Sequence, residues 1–261
     1  MTITNEQYHA DPAVSASHLK AVMQSPYHYW SRYVDPDRKP VEPTAAMKLG
    51  SLAHCAILEP DELLQRYGVC GARNTKAGKE QAAAMEAEGI EAVTSSDMAL
   101  ALGMAAAVRN HPAAAALLQT GKAEQSFWWD DLSSGMRCKC RPDWYFGSTV
   151  VDIKTTTDAS PQAFARSVAT FAYHVQAAHY LAGLHGAERF VFVAVEKTYP
   201  HAVAVYELDA DALALGRTTR DNALDVIAGC QAANVWPGYS DTVQTLSLPK
   251  WASNPIQTET F

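Results

Sequence analysis

The chain has 261 residues, 48% of them hydrophobic and 19% charged, with a formal net charge of −7. That is enough apolar content for one large domain or two small ones, and the composition excludes a disordered chain. The acidic balance argues against indiscriminate coating of nucleic acid or anionic membrane, while leaving room for a local basic groove.

The first elements are helical. Ser15 or Ser17 can cap HLKAVMQS, and Pro26 is expected to end that helix. The Pro- and charge-rich stretch VDPDRKPVEP reads as a loop. TAAMKLGSLAHCAILEP reads as a helix with Met47, Leu49, Ala53 and Ile57 packing inward. GARNTKAGKEQ, with Arg73, Lys76 and Lys79 among glycines, reads as a mobile loop. SSDMALALGMAAAVRNHPAAAALLQT reads as one helix, or two broken near Pro112.

After Gly121 the texture changes. AEQSFWW and MRCKCRPDWYF read as strands joined by the hairpin loop DDLSSG, and STVVDIKTT as a third. SPQAFARSVATFAYHVQAAHYLAGLHG reads as one helix, capped by Ser160, started by Pro161 and stopped by Gly186. Two more strands, ERFVFVAVEK and HAVAVYEL, precede a final helix and an irregular tail. The expected fold is α/β (α+β): one domain with a central mixed β-sheet flanked by helices. Residues 1–120 are its mainly helical part, 121–235 the sheet core and 236–261 the tail.

The five cysteines, Cys55, Cys70, Cys138, Cys140 and Cys230, are odd in number and scattered. They complete no zinc or iron–sulfur set and read as reduced thiols. No apolar run is long enough to span a bilayer, and MTITNEQYHADPAVSAS lacks the design of an export signal, so the chain reads as cytoplasmic with no membrane partner.

The chemistry concentrates in CRPDWYFGSTVVDIKTTTD. Alternation along the strand puts Asp152 and Lys154 on one face and Val151 and Ile153 on the other. An antiparallel neighbour can bring Asp143 beside Asp152. Two close carboxylates repel unless a cation joins them, and hard oxygen ligands suit Mg²⁺ or Mn²⁺. In the preceding strand, Arg137, Lys139 and Arg141 share a face as a basic stripe, which suits either a phosphate chain or plain solvation.

RPDW…VDIKT resembles the PD-(D/E)XK nuclease signature, as Asp143 followed by Asp152-x-Lys154. Four further features resemble the branch holding RecB-type, lambda-type and RecE-type (exodeoxyribonuclease VIII) exonucleases. GSLAH matches the upstream histidine motif at His54. GKAEQSFWW matches the first-strand acidic motif at Glu124. QAAHY matches a QxxxY motif at Gln176 and Tyr180, and both chain ends resemble those of the RecE-type catalytic domain.

The resemblance implies a restriction-endonuclease-like core and roles for matched residues. His54, Asp143, Asp152 and the Ile153 carbonyl would hold Mg²⁺, with Mn²⁺ able to substitute, and Glu124 would support that site. Lys154 would position the attacking water. Gln176 and Tyr180 would contact DNA or brace the site. It further implies 5′-to-3′ digestion of double-stranded DNA ends, a RecT-like single-strand annealing partner and a homo-oligomeric ring. Candidate DNA contacts are Arg137, Lys139, Arg141, Lys76 and Lys79, with Arg73 in the same loop. Ser17, Tyr29 and Arg32 are weaker candidates for a terminal phosphate. The alternatives are a RecB-like single-strand or flap nuclease, or an inactive DNA-binding subunit that keeps the fold.

Overall fold

A computed structural model describes residues 3–39, 41–72 and 74–249. The N-terminal part holds α1 (Asn5–Ala10), α2 (Ala16–Gln24) and α3 (Pro26–Tyr29), which runs into a π-helical turn at Trp30–Val34. It continues with α4 (Ala45–Leu58), a 3₁₀ turn at Pro60–Glu62, α5 (Leu63–Arg66), β1 (Tyr67–Val69), α6 (Lys76–Ala87), β2 (Glu91–Val93), α7 (Ser95–Asn110) and α8 (Pro112–Leu117). Then come β3 (Lys122–Ala123), β4 (Phe127–Asp130), β5 (Arg137–Cys140), β6 (Trp144–Phe146), β7 (Thr149–Thr156), α9 (Pro161–Thr170), α10 (Tyr173–Gly183), β8 (Arg189–Glu196), β9 (Val203–Glu207) and α11 (Ala210–Ala233).

Five strands form the central sheet in the order β3-β6-β7-β8-β9. β7 and β8 are parallel and the other neighbours antiparallel, so the sheet is mixed as expected. A parallel pair needs a crossover, and α9 and α10 supply it. The central strands carry apolar side chains on both faces because helices cover both. Val151 and Ile153 pack toward Leu52, Ala53 and Met104 of α4 and α7. Val150 packs on the other side with Ala177 of α10. α11 backs onto α10, and Leu224 and Ile227 join a further apolar cluster with Leu19 and Val22 of α2.

Several expected boundaries move for local reasons. Pro26 opens α3 instead of only closing α2, since its missing N–H costs nothing at a first helical position. Lys76 and Lys79 belong to a helix, not a loop: the Thr75 hydroxyl accepts from the Gly78 N–H and starts α6. Arg73 lies outside the described residues. Met47 is exposed, whereas Leu49, Ala53 and Ile57 pack inward. The expected single helix after β7 is two, divided at Ala172, whose left-handed φ of 51° no glycine or proline announced. The first strand is likewise divided into β3 and β4 at Glu124, also at φ 51°. The chain from Met136 to Phe146 is divided by Arg141-Pro142-Asp143, so that β5 pairs with β4 and β6 enters the central sheet. Residues 235–249 form no helix or strand, as expected of the tail; Trp236 stacks on Tyr29.

Candidate active site

The last paired residues of β6 and β7 are Trp144 and Val151. Beyond them Asp143 peels away next to Pro142, which has no N–H to continue a ladder. The Asp143 carboxylate replaces the lost rung: Oδ2 accepts the Ile153 N–H at 2.6 Å. A strand residue presents its N–H and C=O to the same edge, so the Ile153 carbonyl also faces this opened edge. The sheet therefore splits at the residues that carry the charge.

Three elements converge on the split. His54, from α4, brings Nδ1 to 3.5 Å from Asp143 Oδ2. Glu124 sits at the break between β3 and β4, with its N–H donating to the Asp143 carbonyl at 3.2 Å. One ligand atom from each of His54, Glu124 and Asp143 lies within 4.8 Å of the others. Burial, then repulsion from Asp143, pushes the Glu124 carboxyl up to about 8. Burial also raises Asp143; His54 opposes this and Asp152 adds to it. Two carboxylates that resist ionisation beside an imidazole form a donor set that a divalent cation satisfies. A groove of about 750 Å³, lined by His54, Glu124, Glu59 and Arg66 among others, opens over them and leaves room for waters.

Asp152 lies on the α10 side and is 1% exposed, so its charge is buried. Oδ1 accepts from Gln176 Nε2 at 2.5 Å, and Oδ2 pairs with Lys154 Nζ. Lys154 Nζ also lies over the Tyr173 ring, 4.6 Å from its centroid. Burial works against the Lys154 ammonium, but Asp152 and Asp143 outweigh it and hold its pKa above the ordinary lysine value. Asp152 is outside the 4.8 Å set in this arrangement, where Lys154 and Gln176 hold its oxygens. Tyr180, one turn beyond Gln176, donates its hydroxyl to the Arg141 carbonyl at 3.2 Å. The structure thus brings His54, Glu124, Asp143, Asp152, Ile153, Lys154, Gln176 and Tyr180 to one end of the sheet.

The basic stripe is broken up. Lys139 is 1% exposed, because α1 covers the face that alternation assigned to solvent or DNA. Its ammonium donates to the carbonyls of Tyr8 at 2.5 Å and Asp11 at 2.7 Å. Arg141 borders the groove while binding Asn5 Oδ1, the Ile3 carbonyl and Ser126 Oγ. Arg137 is exposed and paired with Asp130. Lys76 is exposed and paired with Glu80, and Lys79 is exposed on the same helix. Of the terminal-phosphate candidates, Tyr29 is buried in the core and Arg32 is held by Gln24, while Ser17 borders a cavity beside Gln176. The sequence reading missed Tyr8, Lys20 and Tyr173, which pack round the site from α1, α2 and α10. No motif spacing links them to it.

Residues 15–249 match the PDDEXK-like domain of unknown function (DUF3799). No curated protein matches significantly. A crystal structure from Eubacterium rectale, of a protein assigned as an exonuclease, aligns with a TM-score of 0.69 at 15% identity, over 95% of this chain and 96% of that one. At that identity the likeness is one of fold. A phage-related exonuclease from Haemophilus somnus 129PT aligns over 85% of this chain and 96% of that chain at 11% identity, but its TM-score of 0.39 is too low to carry an argument. Among the described residues no helix is long and apolar enough to cross a membrane.

Proposed function

The chain belongs to the PDDEXK-like family, and from that premise we propose that it is a Mg²⁺-dependent DNA exonuclease of the RecE type. The observation that carries the reading is the convergence of His54, Glu124 and Asp143 atoms within 4.8 Å at the split sheet edge, with the Asp152–Lys154 pair on the adjoining strand. The assignment of the Eubacterium rectale protein as an exonuclease supports this reading.

His54, Asp143, Asp152 and the Ile153 carbonyl would hold the cation, with Glu124 supporting the site. A divalent ion bound there supplies Lewis-acid polarisation of the phosphoryl group and eases deprotonation of water. Gln176 fixes the orientation of Asp152 through Oδ1, and Tyr180 fixes the Arg141 backbone at the groove. Lys154, charged and anchored over Tyr173, orients the attacking water and steadies negative charge on the phosphate. The proposed substrate is a double-stranded DNA end, digested 5′-to-3′ to leave a 3′ single strand for a RecT-like annealing protein. A homo-oligomeric ring enclosing the duplex completes the proposal. The sequence resemblance supports these last features.

The test is release of labelled nucleotides from 5′- and 3′-labelled duplexes and single strands, with Mg²⁺ and with EDTA. Mg²⁺-dependent loss of the 5′ label from duplex is expected. Preference for single strands would remove the RecE-type assignment and keep the nuclease. Absence of Mg²⁺-dependent release from every DNA would leave the inactive DNA-binding subunit.

A further inference from the structure

Lys20, on α2, is half-buried and makes no hydrogen bond or ion pair among the described residues. Its Nζ lies 5.1 Å from the centroid of Tyr173, the ring that also carries the Lys154 ammonium. Two ammonium groups thus share one aromatic support beside one buried carboxylate, Asp152, whose oxygens are taken by Lys154 and Gln176. Burial brings Lys20 down to about 8; repulsion by Lys154 adds to this and Asp152 partly offsets it.

Next to Lys20 a cavity of about 210 Å³ runs to Glu124 of the candidate metal cluster. Ser17, Arg141 and Gln176 are also in its wall and carry N–H or O–H donors, while the Tyr180 hydroxyl in the same wall is held by the Arg141 carbonyl. A cation withdrawn from water without a counter-ion is costly unless something negative completes the site. The cavity gives such a group room, and its contact with Glu124 puts that group within the reaction zone.

Resting on the nuclease reading, we propose that Lys20 is a further catalytic residue: its ammonium contacts a non-bridging oxygen of the phosphoryl group being cut. In the step it serves, a water oxygen bonds to phosphorus and the bond from phosphorus to the leaving oxygen breaks. The electron pair departs with that oxygen, which takes up a proton, and the water's proton passes to solvent. Lys20 keeps its proton throughout and balances negative charge on the phosphoryl oxygens.

Lys20→Met and Lys20→Arg in the full chain test this with labelled duplex and with inorganic phosphate. Lys20→Met should lower kcat about ten- to hundredfold, with KM changed less than about threefold, and Lys20→Arg should recover most of kcat. Phosphate binding to the metal-free protein, followed by calorimetry, should weaken about tenfold in Lys20→Met. Wild-type kcat in Lys20→Met, or an equal loss in both variants with a lowered Tm, would overturn the proposal. Should Lys20→Met not fold, Lys20→Gln takes its place under the same criteria. If wild type degrades no DNA but phosphate binding still depends on Lys20, the nuclease reading fails and the anion seat stands. If wild type degrades DNA and phosphate binding ignores Lys20, the reverse holds.

Discussion

Two groups of buried charge in this molecule are built on opposite principles. At the tip of the β4–β5 hairpin, Asp131 pairs with Arg220 of α11 and accepts from the Ser133 and Ser134 hydroxyls and the Ser134 N–H. Burial pushes its pKa up, but these partners outweigh burial and hold it well below the carboxylate range. At the split sheet edge, Glu124 and Asp143 face each other with too few donors, and both are raised. The first group is complete within the chain and serves the fold. The second is left underpaired within the chain, and in the proposed reading a cation would complete it, as befits a reactive centre rather than a structural one.

The largest effect that tests this contrast is on chemistry. Asp152→Asn should lower Mg²⁺-dependent nucleotide release by at least about a thousandfold. Equal release by mutant and wild type would place the activity elsewhere. Next in size is Arg220→Ala, which leaves Asp131 buried and unpaired and should cost about 3–5 kcal/mol in urea unfolding. A loss below about 1 kcal/mol would mean that the corner is solvated and the contrast is lost.

A smaller effect separates the groups by ligand. Mn²⁺ should raise the Tm of wild type, and EDTA should reverse it, whereas Asp143→Asn should show no such shift. Smallest is the pH effect of Glu124. Its folded pKa, about 8, lies above its ordinary 4.5, so its contribution to stability is present below pH 4.5 and is lost as pH rises through about 8. In EDTA, Glu124→Gln should therefore be more stable than wild type by about 1 kcal/mol at pH 9, with the difference vanishing near pH 5. A constant difference across that range would contradict the raised pKa. Asp131 runs the other way: its stabilisation is present above its ordinary 3.8 and falls away in acid.

Most of the sheet and much of the site were legible in the sequence. β7 and β8 are long, apolar and bounded by turn residues, and period-two alternation put Asp152 and Lys154 on the same face. The i,i+4 spacing of Gln176 and Tyr180 put both on one side of α10, where one reaches Asp152 and the other the Arg141 carbonyl. What escaped depends on contacts distant in sequence. Alternation says that Lys139 and Cys138 point opposite ways, but not that both faces of β5 are covered, one of them by α1 more than a hundred residues earlier. The left-handed residues Glu124 and Ala172 carry no glycine or proline signal, so the breaks that aim Glu124, Tyr173 and Gln176 had no local mark. Lys20 lies in the N-terminal stretch that resembles the RecE-type domain, but nothing in that stretch links it to the acidic cluster; only folding brings α2 against Tyr173.

The covering of β5 by α1 bears on how this protein is best produced and trimmed. The family match begins at residue 15, yet Asn5, Tyr8 and His9 wall the cavity beside Gln176, and the Tyr8 and Asp11 carbonyls accept the hydrogen bonds of the Lys139 ammonium. An expression boundary drawn at residue 15 would cut away part of that cavity's wall and leave the Lys139 ammonium buried without its acceptors.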